Sequence, residues 1–170
     1  MEESGNGPGD QRQKRALIIV FSCHHKNTEK IARAMAQVLD AQIRTPQEVS
    51  PEELQGYDLV GFGSGIYSEK HHESLLDLAD RMPKVANGKA FLFSTCGAPK
   101  IGMSQEYIAR CHSRLRDKLQ SRGYKIIDEF CCLGWNTNSF LRFFGGINKG
   151  RPDAEDLKLA EEFARKLRNG

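Results

Sequence analysis

The apolar residues of this chain fall into short continuous runs, alternating with stretches where they return every three or four positions. Leu17 to Phe21 is five apolar residues in a row, mostly β-branched, leading directly into the polar loop Ser22 to Lys26. A run without polar alternation suits a strand buried on both faces. Behind the loop, Asn27-Thr28 is a good helix N-cap pair, and Ile31, Met35, Val38 and Leu39 share one helical face. The scheme recurs three times. Residues 58–64 (DLVGFGS) lead through the loop Gly65 to His72 into a helix with Leu75, Leu76, Leu78, Ala79 and Met82 inward, stopped by Pro83. Residues 89–95 (KAFLFST) lead through Cys96 to Met103 into a helix carrying Ile108, Cys111, Leu115 and Leu119, capped by Gly123. Residues 124–133 precede a longer loop, Gly134 to Arg151. The last helix opens at Pro152-Asp153 and buries Leu157, Ala160, Phe163, Ala164 and Leu167. Residues 41–45 read as a short edge strand and 46–56 as polar turns.

Strands alternating with helices predict an α/β fold: a doubly wound parallel sheet with helices on both faces. Such sheets bind ligands at the carboxyl ends of their strands, where the winding reverses. Three of these ends are small and polar: Phe21-Ser22-Cys23, Gly63-Ser64-Gly65 and Ser94-Thr95-Cys96-Gly97. Each lets a ligand approach the backbone closely. The first also places N–H groups, hydroxyls and the positive end of a helix dipole around one point, as a phosphate requires. Taken alone, the same stretch also fits a plain strand-to-helix connection with no ligand.

Composition narrows the class. The chain has 170 residues, 39% hydrophobic and 28% charged, enough for one domain over 16–170 behind a disordered tail over 1–15. No run is long enough to span a membrane, and no apolar core follows Met1 as in a signal peptide. An odd count of five cysteines without a C-x-x-C pair fits a reduced compartment. The expectation is a cytoplasmic protein. A net charge of +3, with scattered bases, does not argue for nucleic acid.

The loop Phe21-Ser22-Cys23-His24-His25-Lys26-Asn27-Thr28-Glu29 resembles the phosphate loop of the flavodoxin family. FGSGIYS (62–68) and FSTCG (93–97) fall where that family places its two isoalloxazine loops, and the C-terminal GGINKGRPDAEDLKLAEEFARKL is similar to the tail of short flavodoxin-domain proteins. The resemblance covers about Ala16 to Leu167. It implies a five-stranded parallel sheet in the order 2-1-3-4-5 and FMN as cofactor. Ser22, Cys23, His24, His25, Lys26, Asn27 and Thr28 would then cradle the phosphate. Ser64, Gly65, Ile66 and Tyr67 would lie along one flavin face, Tyr67 stacking. Ser94, Thr95, Cys96 and Gly97 would meet the pyrimidine edge, and Trp135 is a candidate for the outer face. The chain departs from the family pattern in its His-His-Lys phosphate loop, which makes the surroundings less negative and predicts a milder flavin potential. Ser68 stands where the family often has Gly, making a peptide flip there costlier.

The resemblance implies an electron-transfer protein working between redox partners, a reductase or ferredoxin-type donor and an unidentified acceptor. An NAD(P)H-dependent FMN or quinone reductase of the same fold is the second reading, and a flavin-free interaction domain the third. Cys23, His24, His25, His71, His72 and Cys96 offer metal-binding atoms, but at no standard spacing. A tyrosine phosphatase would need an Arg within 24–30, and a nucleotide kinase a glycine-rich lysine loop; neither is present. Trp135, Phe140, Phe143 and Phe144 crowd one loop, and either cover a ligand, meet a partner or pack beneath the last helix. Cys131 and Cys132, adjacent on a strand, should face opposite helix layers.

Overall fold

The structure, a computed structural model, describes residues 14–23, 25–99 and 103–170, save for the side chains of Ser139 and Phe140. In chain order its elements are β1 (Ala16–Phe21), α1 (Asn27–Leu39), β2 (Gln42–Arg44), β3 (Leu59–Tyr67), β4 (Lys70–His71), α2 (Glu73–Arg81), β5 (Gly88–Cys96), α3 (Gln105–Ser121), β6 (Tyr124–Leu133) and α4 (Ala154–Asn169). Short 3-10 turns occupy Pro51–Gly56 and Ser139–Phe144. The strands lie in the order β2-β1-β3-β5-β6, every neighbouring pair parallel. Over the parallel strands alone this is the 2-1-3-4-5 order, with the winding reversing between β1 and β3.

Period-two alternation along the strands divides the core between two helix layers. Ile18, Val20, Phe91, Phe93 and Cys132 face α1 and α4. Leu17, Ile19, Val60, Phe62 and Leu92 face α2 and α3. Cys132 joins the first layer while the Cys131 thiol lies near Ser94, on the other side; burial pushes Cys131 up to about 12 and raises Cys132 as well. Both are packing residues, and neither is a thiolate at neutral pH.

Two boundaries differ from the sequence reading. Arg15, assigned to the tail, is anchored: its N–H donates to Asp58 at 2.8 Å, and its guanidinium lies over the Tyr57 ring at 5.0 Å. Residues 1–13 of that tail lie outside the described residues. The loop expected from Gly65 to His72 is instead a hairpin. β3 continues to Tyr67, turns through Ser68 and Glu69 (φ 48 and 58), and pairs antiparallel with β4. Two successive left-handed residues match the twist of the flanking strands. Ser-Glu lacks the Asn-Gly signature of such a turn, so the sequence did not reveal it.

The glycines of β3 exist for the benefit of β5. Gly61 pairs with Phe91 and Gly63 with Phe93, and each phenyl ring lies across its glycine where a Cβ would stand. Gly63→Ala should therefore destabilise the fold by roughly 2 kcal/mol or more, as overpacking does in a dense core. Urea denaturation checks this, and an unchanged midpoint would contradict the packing described.

Candidate functional site

At the β1/β3 reversal the chain leaves Phe21 and enters α1 through a strained corner. His25 and Lys26 both hold positive φ, 54 and 52. Left-handed backbone at non-glycine residues costs on the order of 1 kcal/mol each and persists where surroundings enforce it. Lys26 is the N-cap, and no side chain caps the helix, so first-turn N–H groups and the helix dipole are left open to an anion. A second observation points the same way. Asn27 is buried, its Nδ2 donates to the Trp135 carbonyl at 2.9 Å, and its Oδ1 has no partner among the described residues. Leaving a buried acceptor unmade costs about 1–3 kcal/mol, and a donor reaching this corner would recover it.

A cleft of about 60 Å³ opens in front of this corner. Ser22, Cys23, Asn27, Thr28, Gly65, Ile66, Tyr67, Thr95, Gly97 and Trp135 line it. Thr28 and Thr95 are joined hydroxyl to hydroxyl at 2.8 Å. Tyr67 folds back over Gly65 and reaches Cys23, Oη to Sγ at 3.1 Å; burial and that contact raise its phenol. Trp135 stacks on His25, centroids 4.0 Å apart at 21°, and His25 Nε2 hydrogen-bonds Thr137 Oγ1 at 2.8 Å. His25 thus borders the cleft through Trp135. Lys26 extends into solvent and pairs with Glu29 at 3.6 Å. His24 lies outside the described residues.

Ser64, Ser94 and Cys96 are not on the cleft. The sequence reading treated each strand end as facing the ligand, but β3 and β5 keep their alternation to the last residue. Odd positions (Gly65, Thr95, Gly97) open forward, while even positions continue the α2/α3 layer. Ser64 Oγ meets His71 Nδ1 at 3.0 Å and accepts from the His72 N–H at 3.0 Å. Ser94 Oγ meets His112 Nε2 at 2.8 Å, and Cys96 lies 3.7 Å from Tyr107 Oη. The network continues from His112 Nδ1 to Glu129 at 2.9 Å, and Arg116 holds Glu129 with two further bonds. Sequence reasoning missed Gly134, Asn136 and Asn138, which complete the cleft wall. The small polar stretch Gly-Trp-Asn-Thr-Asn after β6 carried the same signal as the other strand ends. Phe143 and Phe144 neither cover the cleft nor pack under α4.

A larger cavity, about 790 Å³, lies at the opposite, amino end of the strands, between Lys14, Tyr57, Lys84, Lys89 and Tyr124. It has no helix N-terminus behind it and sits away from the winding reversal. The small cleft is the candidate site. Among the described residues no three of His, Cys, Asp and Glu converge to hold a metal ion, and no helix is long and apolar enough to cross a membrane.

This sheet order places the start of α1 at the winding reversal, with three small strand ends in front of it. Residues 18–166 match the flavodoxin domain family, and the chain belongs to it. It is 47% identical over 153 residues to the uncharacterized protein MJ0298 of Methanocaldococcus jannaschii, covering 90% of this chain and 97% of that one. Among solved structures it resembles a flavodoxin from the domain Archaea, with a TM-score of 0.65 at 16% identity, covering 91% of this chain and 96% of that one. Oxidised Flavodoxin 2 from Bacillus cereus gives 0.64 at 20% identity, with 88% and 94% covered. At these identities the structural likeness speaks for the fold. Family membership implies a flavin cofactor.

The buried histidines fix how stability responds to acid. Burial, and then the neighbouring His112, hold His71 neutral well below the ordinary 6.5, and burial lowers His72 as well. As pH falls below about 6.5 the unfolded chain takes up protons that the folded chain refuses, so stability drops. A second loss starts near 4.5. Burial raises Glu129, but hydrogen bonds from His112 and Arg116, with their charges, outweigh it and hold the carboxylate at about 2. Protonating it forfeits on the order of 2–3 kcal/mol. Urea midpoints measured from pH 7.5 to 2.5 should fall in these two stages. His71→Gln should blunt the first and Glu129→Gln the second; equal midpoints at pH 7 and 5 would contradict the assignment.

Proposed function

We propose that the chain binds FMN at this cleft and carries electrons between redox partner proteins. The observation that carries the reading is the uncapped N-terminus of α1 with the unpartnered, buried Asn27 Oδ1 beside it. The phosphate fits the open N–H groups and the Thr28 hydroxyl. A hydroxyl of the ribityl chain is the donor that Asn27 lacks. Tyr67 and Trp135 stand on two sides of the cleft and offer the aromatic surfaces a flavin ring needs to shed water. A space of about 60 Å³ is far below the ~300 Å³ and more of an enclosing ligand pocket, so the ring belongs at the mouth. Exposure of that kind suits exchange with another protein and leaves no chamber for a second substrate. Bound there, FMN would supply one- and two-electron redox chemistry between a donor and an acceptor protein. The chain's residues anchor the phosphate, orient the ring and screen one edge of it.

Trp135 is the chain's single tryptophan and sits at the site, so its fluorescence reports binding. Titration with FMN should quench it to a one-to-one end point and turn the protein yellow. Thr28→Val should weaken uptake roughly ten- to a hundredfold, the value of a hydrogen bond to a charged group, with thermal unfolding checking that the fold survives. The loaded protein should oxidise neither NADH nor NADPH until a separate reductase is added. Absence of quenching would overturn FMN binding, and steady turnover of the nicotinamide without a reductase would overturn the carrier role.

A further inference from the structure

Two aromatic rings stand in solvent beside the cleft: Phe143 is 73% exposed and Phe144 83%. They close the 3-10 turn Ser139–Phe144, which is fastened to the cleft wall. The Trp135 indole N–H donates to the Gly145 carbonyl at 3.1 Å, and the Gly146 N–H to the Leu141 carbonyl at 2.8 Å. Asn136 and Ile147 exchange both backbone hydrogen bonds across an isolated antiparallel bridge. The turn is tied back by these hydrogen bonds, and its rings are exposed. Fully burying each would be worth about 1.5–3 kcal/mol, which the fold leaves unused.

The charge along this loop has one sign. Between Gly134 and Pro152 the chain carries Arg142, Lys149 and Arg151 and no Asp or Glu. Arg151 is engaged by Asp153 and Asp156. Arg142 lies over the Phe143 ring at 4.9 Å, and neither it nor the exposed Lys149 has a carboxylate partner among the described residues. Asn148 donates to the Ala98 carbonyl at 3.0 Å, which holds Lys149 at the same end of the sheet as the cleft. Across the cleft, the carboxylate of Glu69 is occupied by Arg110 at 2.9 Å.

We propose that Arg142, Phe143, Phe144 and Lys149 form the docking surface for an acidic redox protein, one whose carboxylates surround an apolar patch over its own prosthetic group. The partner's class rests on the electron-carrier reading above; its charge and apolar centre rest on this surface. Exposed Phe and Arg side chains are the types that anchor protein interfaces. Unpaired cations steer an oppositely charged partner and set its orientation. Because the turn is continuous with Trp135 and Asn136, a protein seated on it adjoins the mouth of the cleft. Two cations without a carboxylate partner among the described residues, on the same loop as two exposed phenyl rings, make a compact patch, not the extended stripe that a nucleic acid backbone follows.

The test is equilibrium binding of the full chain, with and without FMN, to an oxidised acidic [4Fe–4S] ferredoxin. A lysine-rich cytochrome c serves as the control of opposite charge, with single-stranded RNA and anionic lipid vesicles as further probes. The ferredoxin should bind at low salt, and its affinity should fall roughly tenfold or more between about 20 and 200 mM salt. Phe143→Ser with Phe144→Ser, and separately Arg142→Gln with Lys149→Gln, should each weaken it by roughly tenfold or more. Thermal unfolding and FMN uptake should be unchanged in both variants. Ferredoxin binding through these residues in a chain that takes up no FMN would uphold the docking surface and remove the cofactor reading. FMN uptake with no ferredoxin binding at low salt would do the reverse. Equal or tighter binding of cytochrome c, RNA or vesicles, or ferredoxin binding indifferent to both variants, would overturn the proposal.

Discussion

Side chains on β3 and β5 alternate between two environments, and the alternation continues past the end of the apolar core. On one side, Ser64 and Ser94 carry the α2/α3 layer upward as a polar network with His71, His112 and Glu129, and Cys96 lies beside Tyr107. On the other, Gly65, Thr95 and Gly97 leave an open cleft against α1 and the loop after β6. The cleft depends on the network behind it. His71 and Tyr67 belong to the same hairpin, so fixing His71 against Ser64 fixes the strand that carries the tyrosine. Part of the cleft wall, Gly65 to Tyr67 and Thr95, therefore sits on strands, and the loops after β1 and β6 complete it.

Both loops flanking the cleft store conformational strain. His25-Lys26 and Ser68-Glu69 are consecutive non-glycine pairs at positive φ. Such pairs are expensive, and two of them at one site mark a place where geometry was kept at the expense of stability. Glycine would relieve the cost at Ser68, but it would also loosen the turn that aims Tyr67. The buried acceptor on Asn27 is a third cost at the same spot. Together these features concentrate conformational and desolvation cost at one corner of the fold.

The architecture was largely legible in the sequence. Apolar runs without alternation gave the parallel strands, and helical spacing gave α1 to α4, because both patterns follow directly from burial. The strand-to-helix corner after β1 was legible from Asn27-Thr28, but the N-cap falls on Lys26 and both residues lie inside the helix, because the left-handed Lys26 starts it one residue earlier. What escaped was set by contacts the local pattern does not carry. The hairpin at Ser68-Glu69 has no turn signature. The inward facing of Ser64 and Ser94 follows from the strand period, which the sequence reading stopped counting at the last apolar residue. Asn136 and Asn138 were overshadowed by the aromatics beside them. Gly61 and Gly63 read as small residues near a strand end, and only the register shows that Phe91 and Phe93 require them.

The central claim is that the carboxyl ends of β1, β3 and β5 hold a flavin nucleotide. Amide chemical shifts recorded while FMN is added to isotopically labelled protein test it most directly. The account predicts shifts confined to 22–28, 65–67, 95–97 and 134–138, complete at one equivalent. Shifts gathered instead around 84–89 and 124–125, at the opposite end of the sheet, or no shifts at all, would contradict it.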